Sequence, residues 1–359
     1  MKRLFGLLLL FLLLALMVAG GAGWWLWQRT DQPYKAYAGD GKTVVVEPGM
    51  AVTTILAELS AEGVLEDPTA ARLYLVYGLD NPPLQAGEYR FEGALSTRQV
   101  LAKLIAGDIV THPVTLVEGK TLAETAKILA DAGFGDRRAF EAAMNDPAPI
   151  ADLDPAANDL EGYLFPDTYR FARGTGEVEI VQRLVETFRQ RFGEAYSPSD
   201  SEGGGRSLRE AVILASVVEK EARLADERPV IAGVYANRLE RGIALYADPT
   251  VIYALMRLDR WNGNLTRDNL QVDSPYNTYR YPGLPPGPIC SPGLGSLRAA
   301  ADPAEVPYLY FVSRNDGSHV FARTLGEHNR NVNEWQKRYW RRRWAEERAA
   351  ESRGDSPSP

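Results

Sequence analysis

The chain opens on a long apolar run. Leu4 to Trp27 carries no charged residue. A helix of that length spans about 36 Å, against roughly 30 Å for the hydrocarbon core of a bilayer. Lys2 and Arg3 precede it, and Trp24, Trp25 and Trp27 cluster at its far end like an interfacial aromatic belt. The run predicts an uncleaved single-pass anchor with a cytoplasmic N-terminus. The small residues of Ala19–Gly23 support a rival reading, a cleaved signal peptide.

Beyond the anchor the pattern shortens into mixed periods. Residues 30–41 are polar and turn-rich and read as a stalk. From Lys42 the spacing predicts a strand, a turn at Pro48-Gly49 and an amphipathic helix ending at Gly63. Thr69–Tyr77 is a second helix, Leu84–Phe91 alternates like a strand, and Ser96–Ala106 is a short helix. Val114–Gly119 reads as a strand and turn leading to a helix from Leu122. Val178–Phe192 is helical, and Tyr196–Arg206 reads as a flexible loop. Glu227–Arg241 is a helix with Pro229 in its first turn and Gly242 just past its end. Tyr308–Val312 and His319–Phe321 form a hairpin around Asn315-Asp316-Gly317, and Glu327–Arg348 is a charged helix. The class is α+β. The predicted division is an anchor at 1–29, a stalk at 30–41, a small module at 42–110, a larger domain at 111–345 and a disordered tail at 346–359.

One stretch organises the larger domain. Ser207 with Glu210 three residues later is a capping box, and apolar residues recur at 208, 211, 212, 215, 218 and 222. Ile213, Leu214 and Val217 cover the opposite face, so this helix belongs inside a domain. It ends in Glu219-Lys220-Glu221, carboxylates placed where burial is costly. Two readings follow: structural ion pairs with Arg223, Arg228 or Arg238, or a buried carboxyl with the raised pKa that a general acid needs. Glu219 and Glu221 project about 200° apart and cannot flank one bond. Helical phase places Glu219 on the apolar stripe but does not say which face meets a cleft.

Composition narrows the chemistry. The 359 residues carry a net charge of −7, one cysteine and three histidines. A nucleic-acid partner, a disulfide framework and a protein-built metal site are not expected, and no cofactor motif is present. Cys290 reads as a small buried residue. No nucleophile elbow or phosphate-binding loop occurs. The aromatic stretch Glu161–Phe171 suits either sugar stacking or a core with polar handles, and the Pro- and Tyr-rich Ser274–Gly295 reads as a structured binding loop. Glycoside cleavage fits these features, with a second carboxylate supplied by Asp167, Asp226, Glu227 or Asp248 if one is used.

Several segments in this order resemble one family. They are Ala86–Phe91, Val117–Gly119, Phe165–Thr168, Ala215–Glu221, Asn237–Leu239, Asp248–Tyr253, Tyr276–Tyr279, Gly283–Ile289 and Pro307–Val312. The chain is similar, from the anchor to about Arg338, to the endolytic murein transglycosylases of the MltG (YceG-like) type. The resemblance implies a LysM-like module near the membrane and an extracytoplasmic catalytic domain acting on nascent peptidoglycan strands. It implies cell-wall synthases as partners and the inner membrane as location. It places the catalytic acid/base at Glu221, working without a carboxylate nucleophile and leaving 1,6-anhydro ends. Asp167, Asn237, Asp248, Thr250, Tyr253, Tyr276, Asn277, Thr278 and Tyr279 from its motifs, with Ser291 of the binding loop, are the substrate-binding candidates.

Overall fold

In the computed structural model, residues 2–196 and 206–352 are described. The chain divides into two compact units, Met1–Pro113 with Arg170–Thr175, and Val114–Tyr169 with Gly176–Pro359.

The first unit begins with a helix over Lys2–Asp31, of which Phe5–Asp31 is long and apolar enough to cross a bilayer. Its folded part is built on one antiparallel pair, Gly41–Val46 with Gly87–Glu92, in which Val44 faces Tyr89. Alternation turns Val44, Val46, Tyr89 and Phe91 inward. Helices Val52–Ala61, Pro68–Gly78 and Thr97–Ala106 cover them with Leu56, Leu59, Leu75, Leu101 and Leu104. Local chemistry sets the helix starts. Asp67 accepts from the Thr69 and Ala70 amides, Pro68 opens its helix, and Ser96 forms a capping box with Gln99. The strand–helix–helix–strand–helix order is the one read from the periodicity.

The polar stretch 30–41 is folded into this unit. The helix runs on to Asp31, and Pro33–Tyr34 pairs with Leu95–Ser96. Ala36 donates to the Gly63 carbonyl, and the Tyr37 hydroxyl to the carbonyls of Phe91 and Gly93. A two-residue strand has no measurable period, so composition alone had suggested a stalk.

The second unit is arranged around the helix Leu208–Glu221. The Glu210 amide donates to Ser207 Oγ at 3.3 Å, and the Ser207 amide to Glu210 Oε2 at 2.9 Å. Every residue from Ala211 to Val218 is buried, as expected of a helix apolar on all sides. Helices Arg228–Glu240, Asp248–Arg257 and Leu294–Ala301 are its neighbours in this unit, and Glu177–Ala195 packs on Leu294–Ala301. Tyr310–Ser313 and His319–Ala322 form the expected hairpin. The terminal helix is not uniform. Leu325–Val332 is α-helical, Asn333–Arg338 is wound as a π-helix, and Tyr339–Ser352 returns to α. The loop predicted over 196–206 falls almost wholly outside the described residues, as does the end of the predicted tail.

The aromatic stretch before 171 belongs to the core. Tyr163, Leu164 and Phe165 are buried; the Tyr163 hydroxyl donates to Asp154 at 2.6 Å and its ring meets Phe188 edge-on. The Tyr169 hydroxyl donates to the Phe165 carbonyl. Gly162 lets this segment lie against the Pro-rich loop: its φ is 87°, and a Cβ there would stand 2.4 Å from Pro288.

Candidate active site

The two glutamates at the end of the central helix meet opposite surroundings. Glu219 is enclosed: Gly293 N–H donates to its Oε2 at 3.1 Å, Ser296 Oγ donates at 2.7 Å, and Arg228 lies 3.8 Å away. Arg228 also reaches Glu118, at 3.5 Å, so one guanidinium bridges two carboxyl groups here. Arg228 is the structural partner, among the three arginines considered from the sequence.

Glu221 forms the last residue of the helix, with Ala222 already extended. It opens onto a cavity of about 440 Å³ walled by Tyr235, Arg238, Tyr246, Asp248, Tyr279, Tyr310 and His328. The residue is partly exposed at the cavity floor, while its carboxyl is enclosed by protein. Loss of hydration pushes its pKa up to about 7, and the Asp248 charge adds to the rise. Opposing this, the Tyr235 hydroxyl donates to Oε1 at 3.0 Å and Arg238 supplies positive charge. A carboxyl so poised gives up and recovers a proton near neutral pH.

The walls are fixed by bonds made elsewhere. Arg238 Nε donates to the Leu309 carbonyl and Nη1 to the Leu245 carbonyl, both at 2.6 Å, and its guanidinium lies over the Tyr246 and Tyr310 rings. Burial lowers its pKa. The helix Asp248–Arg257 starts at Asp248, with Pro249 in its first turn, which presents the Asp248 carboxylate at the helix N-terminus. Tyr279 donates to that carboxylate at 2.6 Å, and burial, with this bond, raises the Tyr279 pKa. His328 lies tilted against Tyr310, its pKa lowered by burial and by Arg238.

Of the residues expected to bind substrate, Asp248 and Tyr279 share the cavity with Glu221. Asn237, Thr250, Asn277 and Thr278 bond within the fold. Asn237 Nδ2 donates to the Val306 and Tyr308 carbonyls, and Asn277 Nδ2 to those of Leu270 and Val272. Thr250 and Thr278 meet through their hydroxyls at 2.9 Å, and Thr278 Oγ1 accepts from the Ala247 amide beside Asp248. They shape the walls without lining the cavity. Ser291 is buried where its backbone pairs with Gly119 and Lys120. Asp167 accepts from the Thr168 amide and stands 3.8 Å from Arg191, away from Glu221's cavity. Tyr276 and Tyr253 line two other, adjoining cavities. Cys290 is buried, its thiol against the Ser216 carbonyl and its pKa raised by burial.

Sequence reasoning passed over Tyr235, His328 and Glu161. Glu161 is 4% exposed, accepts from the Leu122 amide at 3.0 Å and from the Tyr253 hydroxyl at 3.0 Å, and burial pushes its pKa up to about 8. The available signal was a single acid between Leu160 and the apolar run from Tyr163.

An N-terminal helix long and apolar enough to cross a bilayer, and an α+β unit that desolvates a glutamate beside a cavity of tyrosines, define a class built around an acid poised near neutral pH. The family whose model matches is the YceG-like family, over residues 44–334, and the chain belongs to it. It is 32% identical over 310 residues to a Bacillus subtilis protein named endolytic murein transglycosylase, spanning 81% of this chain and 84% of that one. A Streptococcus pneumoniae protein of the same name is 30% identical over 354 residues, 89% of this chain and 63% of the relative. The crystal structure of a yceG-like protein from Listeria monocytogenes matches with a TM-score of 0.54 and 31% identity, covering 82% of this chain and 99% of that one.

Proposed function

We propose that the protein is a peptidoglycan lytic transglycosylase, anchored by its N-terminal helix with the catalytic unit outside the cytoplasm. It cuts nascent glycan strands internally between N-acetylmuramic acid and N-acetylglucosamine. The observation that carries the reading is the Glu221 carboxyl, raised to about 7 in a tyrosine-lined cavity, in a chain whose relatives bear that name.

In the proposed mechanism protonated Glu221 gives its proton to the glycosidic oxygen as the C1–O bond breaks. The resulting carboxylate then takes the proton of the muramyl C6 hydroxyl, whose oxygen bonds to C1 and closes the 1,6-anhydro ring. Glu221 ends protonated, ready for another cycle. The hydroxyl competes with water because an intramolecular nucleophile reaches effective molarities of about 10⁵ M or more. Tyr235 holds the carboxyl in place through both steps. The first unit, LysM-like in this reading, engages the glycan, and cell-wall synthases supply the strand.

A hydrolytic muramidase is the second reading, favoured by one observation: Asp248 shares the cavity with Glu221. The test is the size distribution of products from purified protein and uncrosslinked strands. Internal cutting gives fragments of intermediate length from the first turnovers. Release of disaccharides alone, or no cleavage, overturns the reading.

A further inference from the structure

A second cavity of about 420 Å³ lies in the same unit, and a smaller one of about 210 Å³ shares Asp159, Glu161 and Arg257 with it. Its ordering element is Arg257, the last residue of the helix that begins with Asp248. The guanidinium lies over two tyrosine rings, 5.9 Å from the centre of Tyr253 and 5.5 Å from Tyr276, whose rings are 5.0 Å apart. The two rings hold the guanidinium in place while leaving its donors nearly unused. It makes one long hydrogen bond, 3.5 Å, to the Tyr253 hydroxyl. Asp159 stands 3.6 Å away and is the less exposed partner, 21% against 49%, so the cation reaches past its acid into the cavity.

The other charges facing the cavity are already matched. Arg209 donates to Asp154 and to the Pro286 carbonyl. Asp159 accepts from the Glu161 amide at 3.0 Å. Burial pushes the Glu161 pKa up to about 8, which favours the neutral acid beside an incoming anion. A planar, pre-oriented guanidinium with spare donors is matched to a carboxylate, which takes two parallel hydrogen bonds.

We propose that this cavity is a second ligand site that takes a carboxylate through Arg257, and that its occupant is the peptide branch of the muramyl residue. The second clause rests on the peptidoglycan reading above. Geometry supports it. Nine residues of helix separate Asp248, in the Glu221 cavity, from Arg257, about 14 Å at about 1.5 Å per residue. An extended peptide of about four residues spans the same distance. The loop places Tyr279 in the first cavity and Tyr276, three residues earlier, in the second. One helix and one turn thus present both sites at the separation of a glycan from the end of its branch.

The test is calorimetric titration of the full-length protein in detergent with two probes, an N-acetylmuramyl tetrapeptide and the same compound with every carboxyl amidated. The free acid binds at least about tenfold more tightly than the amide, the size of effect charge-assisted hydrogen bonds give. Arg257→Gln removes that preference and leaves the amide unaffected, while Arg257→Lys retains part of it. No binding of the free acid at millimolar concentration overturns the proposal. So does a preference that survives Arg257→Gln, or an equal loss for both probes. Inactivity of the wild type on glycan strands would overturn the transglycosylase reading and leave this titration to be judged by itself.

Discussion

Glu219 and Glu221 stand two residues apart on one helix, and the protein treats them oppositely. At Glu219 an amide and a hydroxyl donate to the carboxyl and a guanidinium lies beside it. Around Glu221 a single phenol donates, Asp248 repels, and burial withholds water. The first arrangement locks the helix end to the Gly293–Ser296 turn. The second stores a proton beside an open cavity. Residue type is the same and helical phase turns the two to opposite sides; what divides the roles is which elements pack on each side.

That contrast is broken most severely by Glu221→Gln. Glutamine keeps the shape but carries no proton, so activity on glycan strands falls by at least roughly 10²–10⁴-fold, with unfolding temperature unchanged or higher. Glu219→Gln acts on the other property. It leaves Arg228 without part of its pairing and lowers stability by about 3 kcal/mol, the low end for a broken buried pair, read by chemical denaturation. Turnover per folded molecule stays within a few-fold of wild type. A well-folded but inactive Glu219→Gln reverses the assignment.

Two smaller effects sharpen it. Glu161 is protonated in the folded state up to about pH 8, whereas its ordinary value is 4.5. A raised acid contributes stability that is complete below the unfolded value and is lost as pH rises through the folded one. Stability therefore falls between about pH 4.5 and 8, by up to about 1.4 kcal/mol per pH unit. Glu161→Gln flattens this slope in unfolding experiments across that range. Activity follows the same logic at Glu221: protonation is needed for the first step, so kcat/KM declines as pH rises through about 7. Tyr235→Phe removes the bond that favours the carboxylate, so that decline moves to higher pH with a rate loss of about tenfold or less. An unmoved profile means Tyr235 does not touch the reacting carboxyl in the working enzyme.

What was legible in the sequence was local. A capping box, an all-round apolar helix and a Pro-started helix are statements about neighbours three or four residues apart, and Ser207–Glu210, Ala211–Val218 and Pro229 satisfy them. The mapping of polar motif residues onto the cavity was less direct. Asn237 and Asn277 stand in matched motifs, yet both give their amides to backbone carbonyls, those of a loop at Val306 and Tyr308 and of a short 3-10 turn and its end at Leu270 and Val272. Arg238, next to Asn237 in the same motif, reaches the cavity. Glu161, 60 residues before Glu221, gains its meaning from Leu122 and Tyr253, contacts across 39 and 92 residues that no periodicity encodes.

The central claim is that one carboxyl does the chemistry and the substrate's own hydroxyl replaces water. Its most direct test is mass spectrometry of strands cut by the purified protein in water enriched in oxygen-18. The account predicts new ends lighter than a reducing end by one water and free of the label. New reducing ends carrying oxygen-18 would contradict it and assign Asp248 the part of a second carboxylate.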